Sequence, residues 1–253
     1  MLPREHGAYG QLLFPMGTAL ALGRPGPAAV AMAGVAICLF LAHEPLLVLL
    51  GQRGARAARV DRQRARRRIA ILGAVAVALA WPAVSLSAVA ARLFLVAPVA
   101  LGGALLIVIV AGREHTIGGE TLSALALASV SLPVALAAGA TQAIALTCAA
   151  VYGVSFVSAT LAVHAVVMCT RRPPAAARRL TTVGVAAGSL VGLIWFASRG
   201  TLAASAPYAA LPPFVVSCAL SARPPAATHL RIVGWTLVAS SVMTWAVLLA
   251  TIR

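Results

Sequence analysis

Residues 41 to 68, LAHEPLLVLLGQRGARAARVDRQRARRR, constrain the fold more than any other stretch. An apolar segment ends in the pair His43 and Glu44, passes Gly51 and Gly54, and gives way to eight arginines (Arg53, Arg56, Arg59, Arg62, Arg64, Arg66, Arg67, Arg68) relieved by a single acid, Asp61. A basic run directly after an apolar segment of spanning length marks the cytoplasmic side of a bilayer. The run also sets His43 and Glu44 about two helical turns inside the apolar segment. Ionisable groups are costly there unless they meet a partner or water.

The rest of the chain agrees with a membrane location. Of its 253 residues, 61% are hydrophobic and 10% charged, and the mean hydropathy is +0.97. That is more apolar surface than one soluble core can bury, so the expected class is an all-α, polytopic membrane bundle. A net charge of +15 would point to nucleic acid in a soluble protein. Here the arginines lie between apolar segments instead of on one polar face, which argues against nucleic acid and for anionic lipid head groups in the cytoplasmic leaflet. No lysine occurs, which excludes Schiff-base and Walker-type lysine chemistry. Cys38, Cys148, Cys169 and Cys218 show no CxxC spacing and read as small core residues. The opening MLPREHGAYG lacks a charged region followed by a cleavage site, so the first apolar segment is expected to be retained.

Glycine, proline and arginine clusters divide the chain into nine apolar segments: 8 to 23, 27 to 50, 69 to 90, 94 to 112, 121 to 138, 142 to 169, 180 to 198, 201 to 220 and 230 to 252. Short loops force antiparallel neighbours and leave no room for a soluble domain, so residues 1 to 253 read as one transmembrane domain. Pro15, Pro45, Pro82, Pro98 and Pro133 each remove a helical donor, and Pro207, Pro212 and Pro213 predict a broken eighth segment. With nine spans and the 53 to 68 run in the cytoplasm, sixteen arginines fall inside and four outside. The N-terminus is then cytoplasmic, the C-terminus outside, and the location a bacterial inner membrane. Arginine alone sets this topology. Every carboxylate (Glu5, Glu44, Asp61, Glu114, Glu120) and every histidine (His6, His43, His115, His164, His229) then also falls at or near the cytoplasmic side, which points to a site there.

Each candidate has a bland reading beside the functional one. Glu44 either pairs with an arginine such as Arg53, with His43 bonded to a carbonyl freed by Pro45, or the two line a cytoplasm-facing cavity. In the sixth segment Gly153, Val157, Thr160, His164, Met168 and Arg171 recur at helical spacing, so His164 is either a satisfied core residue or part of a polar stripe. The loop GREHTIGGETLS, residues 112 to 123, reads as a capped turn for Thr116, Gly118, Gly119 and Glu120. A capped turn does not account for Arg113, Glu114 and His115, which suit a lid over the cavity. Glu5 and His6 serve either as an interfacial anchor or in the cavity lining. His229 reads as a surface residue.

Two resemblances arise from these residues. Pro3-Arg4-Glu5-His6-Gly7-Ala8-Tyr9, the segment His43-Glu44-Pro45-Leu46 with Gly51 and Arg53, the loop REHTIGGE and the sixth segment ending in Arg171 resemble the YwiC-like family of bacterial integral membrane proteins, over most of the chain. The family implies no established activity. In layout the chain is similar to the UbiA prenyltransferase superfamily. That similarity implies nine helices and a cytoplasmic cavity built from the ends of helices two and six, capped by the loop after helix four. UbiA enzymes hold magnesium and a prenyl diphosphate with aspartate-rich motifs at positions where this chain has His43, Glu44, Gly51 and Arg53, and Thr160, His164 and Arg171. No Asp-x-x-x-Asp occurs, so no metal site is expected.

Two classes of function follow. In the first, a membrane-embedded, transferase-like protein binds an amphipathic anionic lipid or isoprenoid, with its head at Arg53, Arg113 and Arg171 and with Glu44, His164 or Glu114 as general acid or base. Glu5, His6, His43, His115, Glu120 and Thr160 complete the expected ligand site. In the second, the chain is a transporter or a lipid- or cofactor-binding protein without bond chemistry. The cofactor is left open, and His43 with His164 permits a haem.

Overall fold

The computed structural model describes residues 6–169 and 176–252. Glu5 and Arg171 lie outside the described residues, as does the side chain of His6. Within them every regular element is helical: α1 (His6–Leu22), α2 (Pro27–Leu49), α3 (Ala55–Val60), α4 (Arg62–Ser85), α5 (Val89–Phe94), α6 (Val96–Val110), α7 (Ile117–Ser129), α8 (Ser131–Ala137), α9 (Gln142–Cys169), α10 (Ala176–Ser198), α11 (Ala206–Ala222) and α12 (Leu230–Ile252). Seven stretches among the described residues are long and apolar enough to cross a membrane: α2, α4, α5 with α6, α7 with α8, α9, α10 and α12. Helices α1 and α11 have 17 residues each. At about 26 Å they stop just short of a hydrocarbon core of roughly 30 Å.

Proline acts differently from the expectation for the eighth segment. Helix α11 runs unbroken through Pro212 and Pro213 and begins at Ala206, after a loop held by the Ala203 amide donating to Thr147 Oγ1 at 2.7 Å. Pro213 cannot donate to the Ala209 carbonyl four residues back. The Thr244 hydroxyl on α12 donates to that carbonyl instead, at 2.9 Å, so the helix keeps its course and gains an interhelical tie. The interruptions fall elsewhere. Pro98 and Pro133 each occupy the third position of a new helix, where no intrahelical donor is required, and the chain steps from α5 to α6 at Leu95 and from α7 to α8 at Val130.

Helix α9 forms the centre and packs against α7, α8, α10, α11 and α1. One core cluster joins α7, α9, α10, α11 and α12 around Tyr152, Phe156, Leu193, Phe214 and Leu248. A second joins α1, α2, α4, α5 and α8 around Leu12, Met16, Met32 and Val134. The two meet where the Thr18 hydroxyl donates to the Phe14 carbonyl and accepts from the Tyr152 hydroxyl, both at 2.7 Å. Helices α4 and α5–α6 are the least buried, with 11% and 6% of their central windows covered, so most of their apolar surface faces lipid.

Candidate functional site

The site begins with the turn between α6 and α7. Gly112 adopts φ +68°, a left-handed conformation that favours glycine, and ends α6. The Thr116 hydroxyl then caps α7, accepting from the Gly119 amide at 3.1 Å and donating to the Arg113 carbonyl at 2.8 Å. Gly119 is required by contact: a Cβ there would sit 2.5 Å from the Arg113 carbonyl oxygen and 2.6 Å from that of Glu114. The loop therefore folds down onto the first turn of α7. Arg113 is left exposed and the Glu114 side chain is turned inward at 12% exposure.

Glu114 lies between two imidazoles. His43 Nε2 approaches one carboxylate oxygen at 3.2 Å and His115 Nε2 the other at 3.1 Å. One turn into α7, Glu120 Oε2 lies 3.5 Å from His164 Nδ1 on α9. Glu44, next to His43 in sequence, takes another partner. Arg53 curls back after the end of α2 and donates through both Nε and a terminal nitrogen to its two oxygens, at 3.0 and 2.6 Å. Gln52 Nε2 donates to the Ile109 carbonyl, which ties the arginine-rich segment to the end of α6.

These groups border a cavity of about 300 Å³ between α1, α6, α7, α9 and α12, with His43 of α2 and Pro213 of α11 at its edges. Among the described residues its ionisable lining consists of His43, Glu114, His115 and Glu120. Its neutral polar lining consists of Gln11, Ser123, Ser155, Thr160, Ser240 and Ser241. Phe14, Leu105, Ile109, Phe156, Leu237 and Val238 supply an apolar wall. The lining comes from the early part of α1, α7 and α12 and the late part of α2, α6 and α9. With antiparallel neighbours, these are the ends nearest the arginine-rich segment.

The structure thus separates the sequence candidates. His43, Glu114, His115, Glu120 and Thr160 share the cavity wall, and His164 stands behind Glu120. Glu44 and Arg53 form a pair beside the cavity and do not line it, and Arg113 is exposed. On α9, Ser155, Phe156, Ala159, Thr160 and Val163 face the space, whereas Gly153 turns to Leu125 of α7. Sequence reasoning missed Gln11, Ser123, Ser155, Ser240 and Ser241. Serine in a helix of small residues reads as packing, and the five-residue spacing of Ser155 and Thr160, about 140° around the helix, gives no sign of a common face. Among the described residues no group of three or more His, Cys, Asp or Glu side chains is arranged to hold a metal ion.

Long apolar helices, a basic segment at one end and a polar cavity at that same end define a multi-pass α-helical membrane protein. Residues 2–136 match the family model described as YwiC-like protein, just over half of the chain, and the chain belongs to the YwiC-like family. The matched stretch holds α1, α2 and the Glu114 to Glu120 turn and ends before α9, so Thr160 and His164 lie beyond it. No curated protein and no solved structure matches the chain.

Proposed function

We propose that the cavity binds an amphipathic small molecule, its polar head against Glu114, Glu120, His43 and His115 and its apolar tail along Phe14, Leu105, Ile109 and Phe156. One observation carries this reading: two carboxylates and two imidazoles share a wall of a cavity whose remaining sides are largely apolar. Glu114, at 12% side-chain exposure, is expensive inside a bundle and is kept where it meets a ligand or a proton path, while His115 and Glu120 stand at the more exposed edge of the cavity. The Glu114 carboxylate held between His43 and His115 is suited to general acid-base work on a bound head group. A transferase of UbiA-like layout is the catalytic form of this reading, since the end of α2, the late part of α9 and the loop after α6 converge on one space. The positive-inside bias places the site on the cytoplasmic side. The exposed arginines Arg56, Arg59, Arg62, Arg64, Arg66 and Arg67 there meet anionic lipid head groups.

Mass spectrometry of small molecules that co-purify with the detergent-solubilised protein tests the proposal. A compound retained by wild type and lost from a Glu114→Gln, Glu120→Gln variant is the expected result. Identical bulk phospholipid in both samples would overturn it.

A further inference from the structure

Resting on the cavity reading above, we propose that the head group of the bound molecule is cationic, a protonated amine on an apolar chain. The sign of the charge follows from which ions reach the wall. The sequence has twenty basic residues, all arginine, against five acids. No arginine is among the described residues that line the cavity, while Glu114 and Glu120 both are. The other described acids are matched to arginine, Glu44 to Arg53 and Asp61 to Arg64, the latter at 3.7 Å. The two cavity acids instead face His43, His115 and His164, groups that can donate to a carboxylate as neutral imidazoles. Among the described residues the arginines stay off the cavity wall, and the carboxylates are left to meet a cation from outside.

A second observation points to a ligand independently of charge. Of the five buried hydroxyls without a partner among the described residues, Ser155 is the one on the cavity wall. It is 2% exposed, and its hydroxyl bonds to no carbonyl of its own helix. A buried hydroxyl left unpaired is costly. Ser155 lies nine residues before His164 on α9, about 13 Å along the helix, so it marks the inner end of the cavity, away from the carboxylates that meet the ammonium. The volume of about 300 Å³ suits an alkyl chain of moderate length. The exposed arginines do not cancel the attraction, because charges in solvent are screened within roughly 10 Å at physiological salt while charges inside the cavity are not.

The test measures fluorescence binding of three matched probes to the full-length protein in a neutral detergent, each a ten-carbon chain with a dansyl group at one end and a free primary amine, a hydroxyl or a phosphate at the other. Expected is saturable binding with the amine tightest, weakened on the order of 10-fold by Glu114→Gln or Glu120→Gln. The phosphate probe binding wild type as tightly as the amine would overturn the inference and leave the cavity reading standing. So would unchanged amine binding in glutamine variants whose thermal unfolding matches wild type. Saturable binding of none of the three probes would overturn both.

Discussion

His43 and Glu44 are consecutive on α2, yet they belong to two different regions of the molecule. Successive helical side chains point about 100° apart, so one reaches the α6–α7 turn and the other faces the residues that follow α2. Glu44 is 5% exposed and gripped through two nitrogens by a guanidinium, a cation at every relevant pH. Glu114, the partner of His43, is held by two imidazoles on the wall of an open space. The first carboxylate is closed by a permanent charge and works as a structural clasp. The second borders the cavity, with 12% of its side chain exposed. Two acids of the same type at the same end of the bundle are thus separated in role by the kind of base that faces them.

The sharpest way to break this comparison is to remove the clasp. Arg53→Ala leaves a buried carboxylate without its guanidinium and should cost about 3–5 kcal/mol in unfolding of the detergent-solubilised protein. Adding Glu44→Gln should restore most of that loss. A single-variant loss under about 1 kcal/mol would mean that the pair is no clasp. Gly119→Ala, which drives a Cβ into two loop carbonyls, is expected to cost about 1–3 kcal/mol and to reduce ligand retention, because it displaces Glu114 and leaves Glu44 untouched. Retention equal to wild type would show that the turn does not position the site. Thr116→Ala removes the α7 cap and should lower stability by about 1 kcal/mol in the same assay. The smallest stability change, under about 1 kcal/mol, belongs to Glu114→Gln, whose amide oxygen still accepts from an imidazole. Its effect should appear in ligand binding. A large unfolding shift in this variant would make Glu114 a second clasp and erase the contrast.

Much of the fold was legible because its signals are local. Proline and glycine punctuation placed the limits of α2, α9 and α12 within a residue or two, and the cap at Thr116 was readable from its spacing to Gly119 and Glu120. Proline was harder. Helices α1, α2, α4 and α11 all run on through internal prolines, and in α11 a neighbouring helix satisfies the freed Ala209 carbonyl through Thr244, a contact with no local signal. The same limit applied to the site. The sequence offered two readings of Glu44, pairing with Arg53 or lining a cavity, and choosing between them needs the path of the chain after Gly51. It also drew attention to arginines as head-group ligands, because charge is conspicuous in an apolar chain, and passed over serines such as Ser155, because a small hydroxyl leaves no periodic signature.

The sequence by itself determined the membrane class, the helical segments, the basic end of the bundle and the gathering of acids and histidines there. These follow from hydropathy, chain punctuation and charge along a one-dimensional string. Only the tertiary structure decided which acid meets arginine and which meets histidine, because a hydrogen bond of about 3 Å between residues seventy positions apart, His43 and Glu114, is set by how two helices and a turn dock. That docking also leaves no arginine among the described residues that line the cavity.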